Sequence, residues 1–69
     1  MKQYSNSRLR EIVGEHIHNE RDRKILIRKY CDGLTFEQLA EEFDLSVSQI
    51  KRIIYKGSFT IFSIMEKEN

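Results

Sequence analysis

Residues 46–56 read SVSQIKRIIYK and hold the densest set of side chains able to do chemistry: Val47, Ser48, Lys51 and Arg52, with Gln49, Tyr55 and Lys56 at the margins. Lys51 and Arg52 are cationic donors that can address guanine O6 and N7, or can reach only phosphates. Ser48 and Gln49 can bond to bases or to backbone, although Gln49 also has a role in capping. Val47 is apolar and β-branched, so it either meets a thymine methyl or packs against the turn before it. Thr35, at the start of an earlier helix, can offer a phosphate its amide and its hydroxyl.

Other chemistry is poorly supported. His16 and His18 are two residues apart, so on a helix they point to different sides and form no metal pair. His16 reads as a histidine at the edge of the core and His18 as a neighbour of the Asn19 cap. Cys31 adds no credible metal spacing, and as a lone cysteine it fits a reducing compartment. There is no glycine-rich phosphate loop and no nucleophile motif. The expectation is a non-enzyme with no metal and no cofactor.

Side chains that read a polynucleotide must be held by a rigid element, and the stretch Thr35–Gly57, TFEQLAEEFDLSVSQIKRIIYKG, supplies one. Thr35 is followed three residues later by Gln38, and Ser46 three residues later by Gln49. Each pair can form a capping box, the hydroxyl accepting from the third helical amide while the Gln side chain reaches back. Two such starts so close together leave room for two helices and a tight turn. Leu39, Ala40 and Phe43 share a face of the first helix, and Ile50, Ile53 and Ile54 share one on the second. Ala40 is small enough for a steep crossing. Asp44 is placed where the turn needs positive φ, which Asp tolerates better than most non-glycine residues. Leu45 then plugs the core from the turn. This is a helix-turn-helix, whose second helix can enter the DNA major groove.

Two further helices precede it. Ser7 is the expected cap of a helix to about His18, with Leu9, Ile12, Val13, His16 and Ile17 on its apolar side. Gly14 weakens this helix by up to about 1 kcal/mol relative to Ala, so it depends on packing. Asn19 caps the next helix, whose first turn carries Glu20 and Asp22 and whose end falls at Cys31 or Asp32. Gly33 suits the left-handed position beyond it, and Leu34 the hydrophobic contact that follows. After Lys56, Gly57 and Ser58 are expected to bend or end the helix. The apolar segment 58–66 is expected to continue as helix, with Phe59, Phe62 and Met65 packing on the N-terminal helices. The competing use of that segment is a homodimer contact. Residues 1–69 thus read as one domain: an all-α bundle of four to five helices containing a helix-turn-helix.

Composition agrees with this. Hydrophobic content is 39%, charged content is 33% and there is no Pro, which suits a small helical core. No apolar run reaches the length of a membrane span and MKQYSNSRLR lacks a signal-peptide core, so a cytoplasmic chain with no membrane partner is expected. The formal net charge is only +1, but it is unevenly spread. Residues 35–44 carry Glu37, Glu41, Glu42 and Asp44 and no base, whereas residues 45–65 carry Lys51, Arg52 and Lys56 and no acid. An acidic helix beside a basic one favours docking on phosphates through the second alone. The basic set Arg21, Arg23, Lys24, Arg28 and Lys29 can reach flanking phosphates, but the preferred reading is a solvated face paired with Glu20, Asp22 and Glu37.

From Glu20 to Lys56, and particularly in ERDRKILIRKYCDGLTFEQLAEEFDLSVSQIKRI, the chain resembles the fourth conserved region of sigma-70-type sigma factors. The likeness lies in the charged opening, the Tyr–x–x–Gly–Leu–Thr junction, Ala40 and the Phe43–Asp44–Leu45–Ser46 turn. The resemblance implies a double-stranded DNA target, of the −35 promoter class, and a contact with RNA polymerase. The family's base-contacting positions fall on Val47, Ser48, Lys51 and Arg52. The family commonly has Arg, Glu, Arg and Gln there, so this chain keeps the basic character of one position. The region that binds the −10 element has no counterpart here, and the expectation is a small stand-alone regulator of the kind found in phages and mobile elements. The competing expectation is a protein-interaction module that docks on RNA polymerase or another regulator.

Overall fold

In the computed structural model, which describes residues 6–67, four helices follow one another: α1 (Asn6–His16), α2 (Glu20–Tyr30), α3 (Phe36–Phe43) and α4 (Val47–Lys67). No strand occurs among the described residues. The all-α bundle with a helix-turn-helix is therefore the observed fold.

Local chemistry explains most helix boundaries. Asn19 is extended (φ −83°, ψ 120°) and its side chain accepts from the Asp22 amide at 3.1 Å, which starts α2. Helix α1 ends at His16, two residues before the expected end. Arg23 Nε donates to the Ile17 carbonyl just past that end, satisfying a group that the finished helix leaves open. The expected Ser7 cap is not one, since the helix already includes Asn6. His16 also departs from expectation. It is exposed, beside Glu15, and belongs to no core edge. After α2, Gly33 takes φ +74° and Leu34 turns back to pack against the core.

The core is built from Leu9, Ile12 and Val13 of α1, Ile25 and Leu26 of α2, Leu39 of α3, and Ile50, Ile54, Ile61 and Met65 of α4. No polar or charged residue is buried with them among the described residues. Helix α4 packs against each of the other three and so acts as the spine.

Gly57 neither bends nor ends α4, which runs unbroken for 21 residues. Its role is steric. A Cβ at Gly57 would lie 2.5 Å from Leu26 Cδ1 and 3.1 Å from Leu26 Cγ. The glycine is buried and lets α2 approach closely. Because the helix continues in phase, Ile50, Ile54, Gly57, Ile61 and Met65 form one inward stripe. The expectation of Phe59 and Phe62 as core residues is corrected: Phe59 is 77% and Phe62 48% exposed, while Ile61 and Met65 fill the interior. Phe62 keeps one edge-on contact with Tyr30, ring centroids 6.0 Å apart. The Tyr30 hydroxyl and Ser58 Oγ hydrogen-bond across the α2–α4 seam.

Candidate nucleic-acid interface

Both capping boxes form. Thr35 Oγ1 accepts from the Gln38 amide at 3.1 Å, and the Thr35 amide donates to Gln38 Oε1 at 2.9 Å. Ser46 Oγ accepts from the Gln49 amide at 3.1 Å, and the Ser46 amide donates to Gln49 Oε1 at 2.9 Å. Between the helices Asp44 adopts the left-handed conformation, φ 56° and ψ 47°. The Leu45 amide then reaches the Ala40 carbonyl at 2.9 Å, the six-to-one bond of a Schellman close. Leu45 packs against the core, so the turn is pinned from inside.

This turn aims the first two turns of α4 outward. Ser48, Gln49, Lys51, Arg52, Tyr55 and Lys56 are exposed, while Ile50 and Ile54 anchor the opposite side. Val47 is half-buried. The candidate residues therefore share one helix and one accessible side, except Thr35. Its amide is committed to Gln38, leaving the hydroxyl proton as its one remaining donor. Gln49 is committed through Oε1, and its side-chain NH2 remains available.

Phe36, at the start of α3, lies beside the candidate residues. Its ring meets Tyr55 edge-on at 6.2 Å between centroids, with Lys29 Nζ 4.6 Å and Lys51 Nζ 5.6 Å from its centre. The ring restrains Lys51 by cation–π attraction while leaving its ammonium in solvent. The signal was faint: an aromatic just after a cap, before a lysine-bearing helix. Arg21 is also brought in, lining a shallow cleft with Leu45, Gln49, Arg52 and Ile53.

The electrostatics separate two sets of cations. Those of α2 are largely satisfied within the fold. Arg21 pairs with Asp22, Lys24 with Glu20, and Lys29 donates to the Leu34 carbonyl. Arg28 clamps Glu42 through two bonds of 2.5 and 2.9 Å and reaches Asp32 at 2.9 Å. These hydrogen bonds push the Arg28 guanidinium further above its usual range. The same hydrogen bond holds the Glu42 carboxyl below the usual carboxylate range. Glu20 and Asp22 thus pair with this set as expected, and from α3 it is Glu42 that joins them. By contrast, Lys51, Arg52 and Lys56 make no ion pair with any described residue.

The family model of sigma-70, region 4, matches residues 19–57, more than half of the chain. The chain belongs to the sigma-70 region 4 family. The matched span begins at the Asn19 cap of α2, takes in the whole helix-turn-helix and ends at Gly57. No curated protein and no solved structure matches the chain. Membership places the helix-turn-helix among DNA-binding domains of transcription regulation, a regulatory family and not an enzyme family. The family also suggests interaction with DNA and RNA polymerase. Among the described residues no helix is long and apolar enough to cross a membrane.

Proposed function

We propose that the protein binds double-stranded DNA sequence-specifically, by seating residues 46–56 in the major groove, and acts as a sigma-region-4-like transcription regulator. The observation that carries this reading is the unpaired cationic start of α4. Lys51, Arg52 and Lys56 lie together on one helix with no acidic partner among the described residues, while most cations behind them on α2 hold partners within the fold. Unpaired charge of this kind gains from releasing DNA counterions, and the turn supplies the approach angle.

Roles follow from position. Arg52 and Lys51 donate to guanine edges or to phosphates, and Ser48 and the Gln49 amide are secondary readers. Val47, half-buried, offers at most a narrow apolar contact to a thymine methyl. Tyr55, Lys56 and Thr35 contact the backbone at the margins, joined by Arg21 in its cleft beside Arg52.

A second reading, docking on RNA polymerase, is favoured by the exposed carboxylates Glu37 and Glu41 on α3. Selection from random duplex DNA, followed by a salt titration on the selected site, separates the two. DNA reading yields a defined site and an affinity that falls steeply with salt, with a log–log slope of roughly −0.9 per phosphate neutralised. No enriched site and no salt dependence would overturn it.

A further inference from the structure

The solvent side of α4 carries a pattern that begins among the DNA-reading residues and runs well beyond them. Arg52, Tyr55, Phe59, Phe62 and Glu66 follow one another at alternating spacings of three and four residues, the a/d spacing of a coiled-coil seam. All five are exposed, and the three aromatics form a ridge opposite the inward stripe. A contiguous apolar ridge of this kind marks an interaction surface.

We propose that this ridge is a self-docking surface: two copies of the chain pair their α4 helices antiparallel about Phe59, and the pairing covers the DNA-reading side chains. Charge dictates both the occupant and its direction. Arg52 and Glu66 each stand one heptad from Phe59, about 10 Å along the axis on either side. Turning one helix end over end about Phe59 sets each Arg52 against the Glu66 of the second copy and each Tyr55 beside the second Phe62. A parallel pair would stack Arg52 on Arg52 and Glu66 on Glu66. Glu66 is the one acidic residue among the described residues of α4, and Arg52 is the one cation that shares its seam, so centring the pair on Phe59 satisfies both.

The pairing has a regulatory consequence. Arg52 and Tyr55 belong to both the seam and the DNA-reading side, with Ser48 and Lys51 alongside. One set of side chains cannot serve a partner helix and a DNA groove together, so the dimer is a DNA-silent store and the monomer is the binding form. A seam of about four turns lies at the small end of protein interfaces, which makes the dimer weak and its population responsive to concentration. The masking rests on the proposed DNA reading; the pairing does not.

Sedimentation equilibrium of the full chain without DNA tests the pairing directly. The wild type shows a reversible monomer–dimer equilibrium that weakens as salt rises. Phe59→Ala weakens it by about tenfold or more, as loss of a central aromatic anchor does. Glu66→Gln weakens it by about twofold to fivefold, the scale of exposed ion pairs. Both residues are exposed, and circular dichroism verifies that both variants stay helical. A wild type that is monomeric up to millimolar concentration, or a dimer indifferent to both substitutions, overturns the pairing. Masking is read by anisotropy with a labelled duplex. Phe59→Ala binds at least as tightly as wild type, and added duplex dissociates the wild-type dimer. Weaker DNA binding by Phe59→Ala overturns the masking. If no duplex binds the wild type, the DNA reading and the masking fail together, while sedimentation alone still decides the pairing.

Discussion

Two glycines in helices behave in opposite ways because their surroundings differ. Gly14 is exposed, and a Cβ there would meet nothing within 4 Å. Gly14→Ala is expected to stabilise the protein by about 0.5–1 kcal/mol, the usual helix-propensity gain, measurable by urea denaturation. Gly57 faces Leu26 inside the core, so Gly57→Val drives two branches into a fully buried leucine. The expected cost is about 1–3 kcal/mol, read in the same experiment. A stabilising Gly57→Val would contradict the close α2–α4 approach. From sequence alone the two glycines could not be told apart, because what distinguishes them is a neighbour thirty-one positions away in the chain. Phe36 is a similar case: the contacts that make it part of the site come from α2 and α4.

At the scale of elements, most of what is encoded within a few residues is legible, the Ser7 cap and the end of α1 excepted. The caps Asn19, Thr35 and Ser46, the left-handed Asp44 and the left-handed Gly33 lie where their local chemistry required. Ser46→Ala removes the hydroxyl that starts α4, and is expected to lower stability by about 1 kcal/mol in thermal denaturation. The C-terminal half of α4 was misread for one reason. Treating Gly57 as a break discards the helical phase set by Ile50 and Ile54, and aromatic bulk then draws Phe59 and Phe62 inward. Carrying the phase through Gly57 turns Ile61 inward in their place, beside Met65, which packs inward as expected. The α2–α3 clamp was also hidden, since Arg28 and Glu42 are brought together by the tertiary fold. Arg28 lowers the Glu42 pKa, so this contribution is complete above the unfolded value of about 4.3 and is lost as pH falls through the folded value. Glu42→Gln is therefore expected to reduce stability at neutral pH and to flatten its decline below about pH 4, as followed by denaturation across pH.

Over the whole molecule, a net charge of +1 conceals a division of labour. Internal pairing neutralises much of α2, α3 presents carboxylates, and the start of α4 keeps its cations for solvent or a ligand. The sequence showed which helix was basic, but only the fold shows that Arg28 is held by Glu42 and that Lys51 lies near the Phe36 ring. The central claim is that these cations bind duplex DNA. It is tested most directly by comparing wild type with Lys51→Ala/Arg52→Ala on a selected duplex by fluorescence anisotropy, with helicity followed by circular dichroism. Both side chains are exposed, so the variant is expected to keep its helical content. Its affinity is expected to fall by about tenfold or more, with a shallower salt dependence. A double variant that binds the same duplex with unchanged affinity would contradict the account.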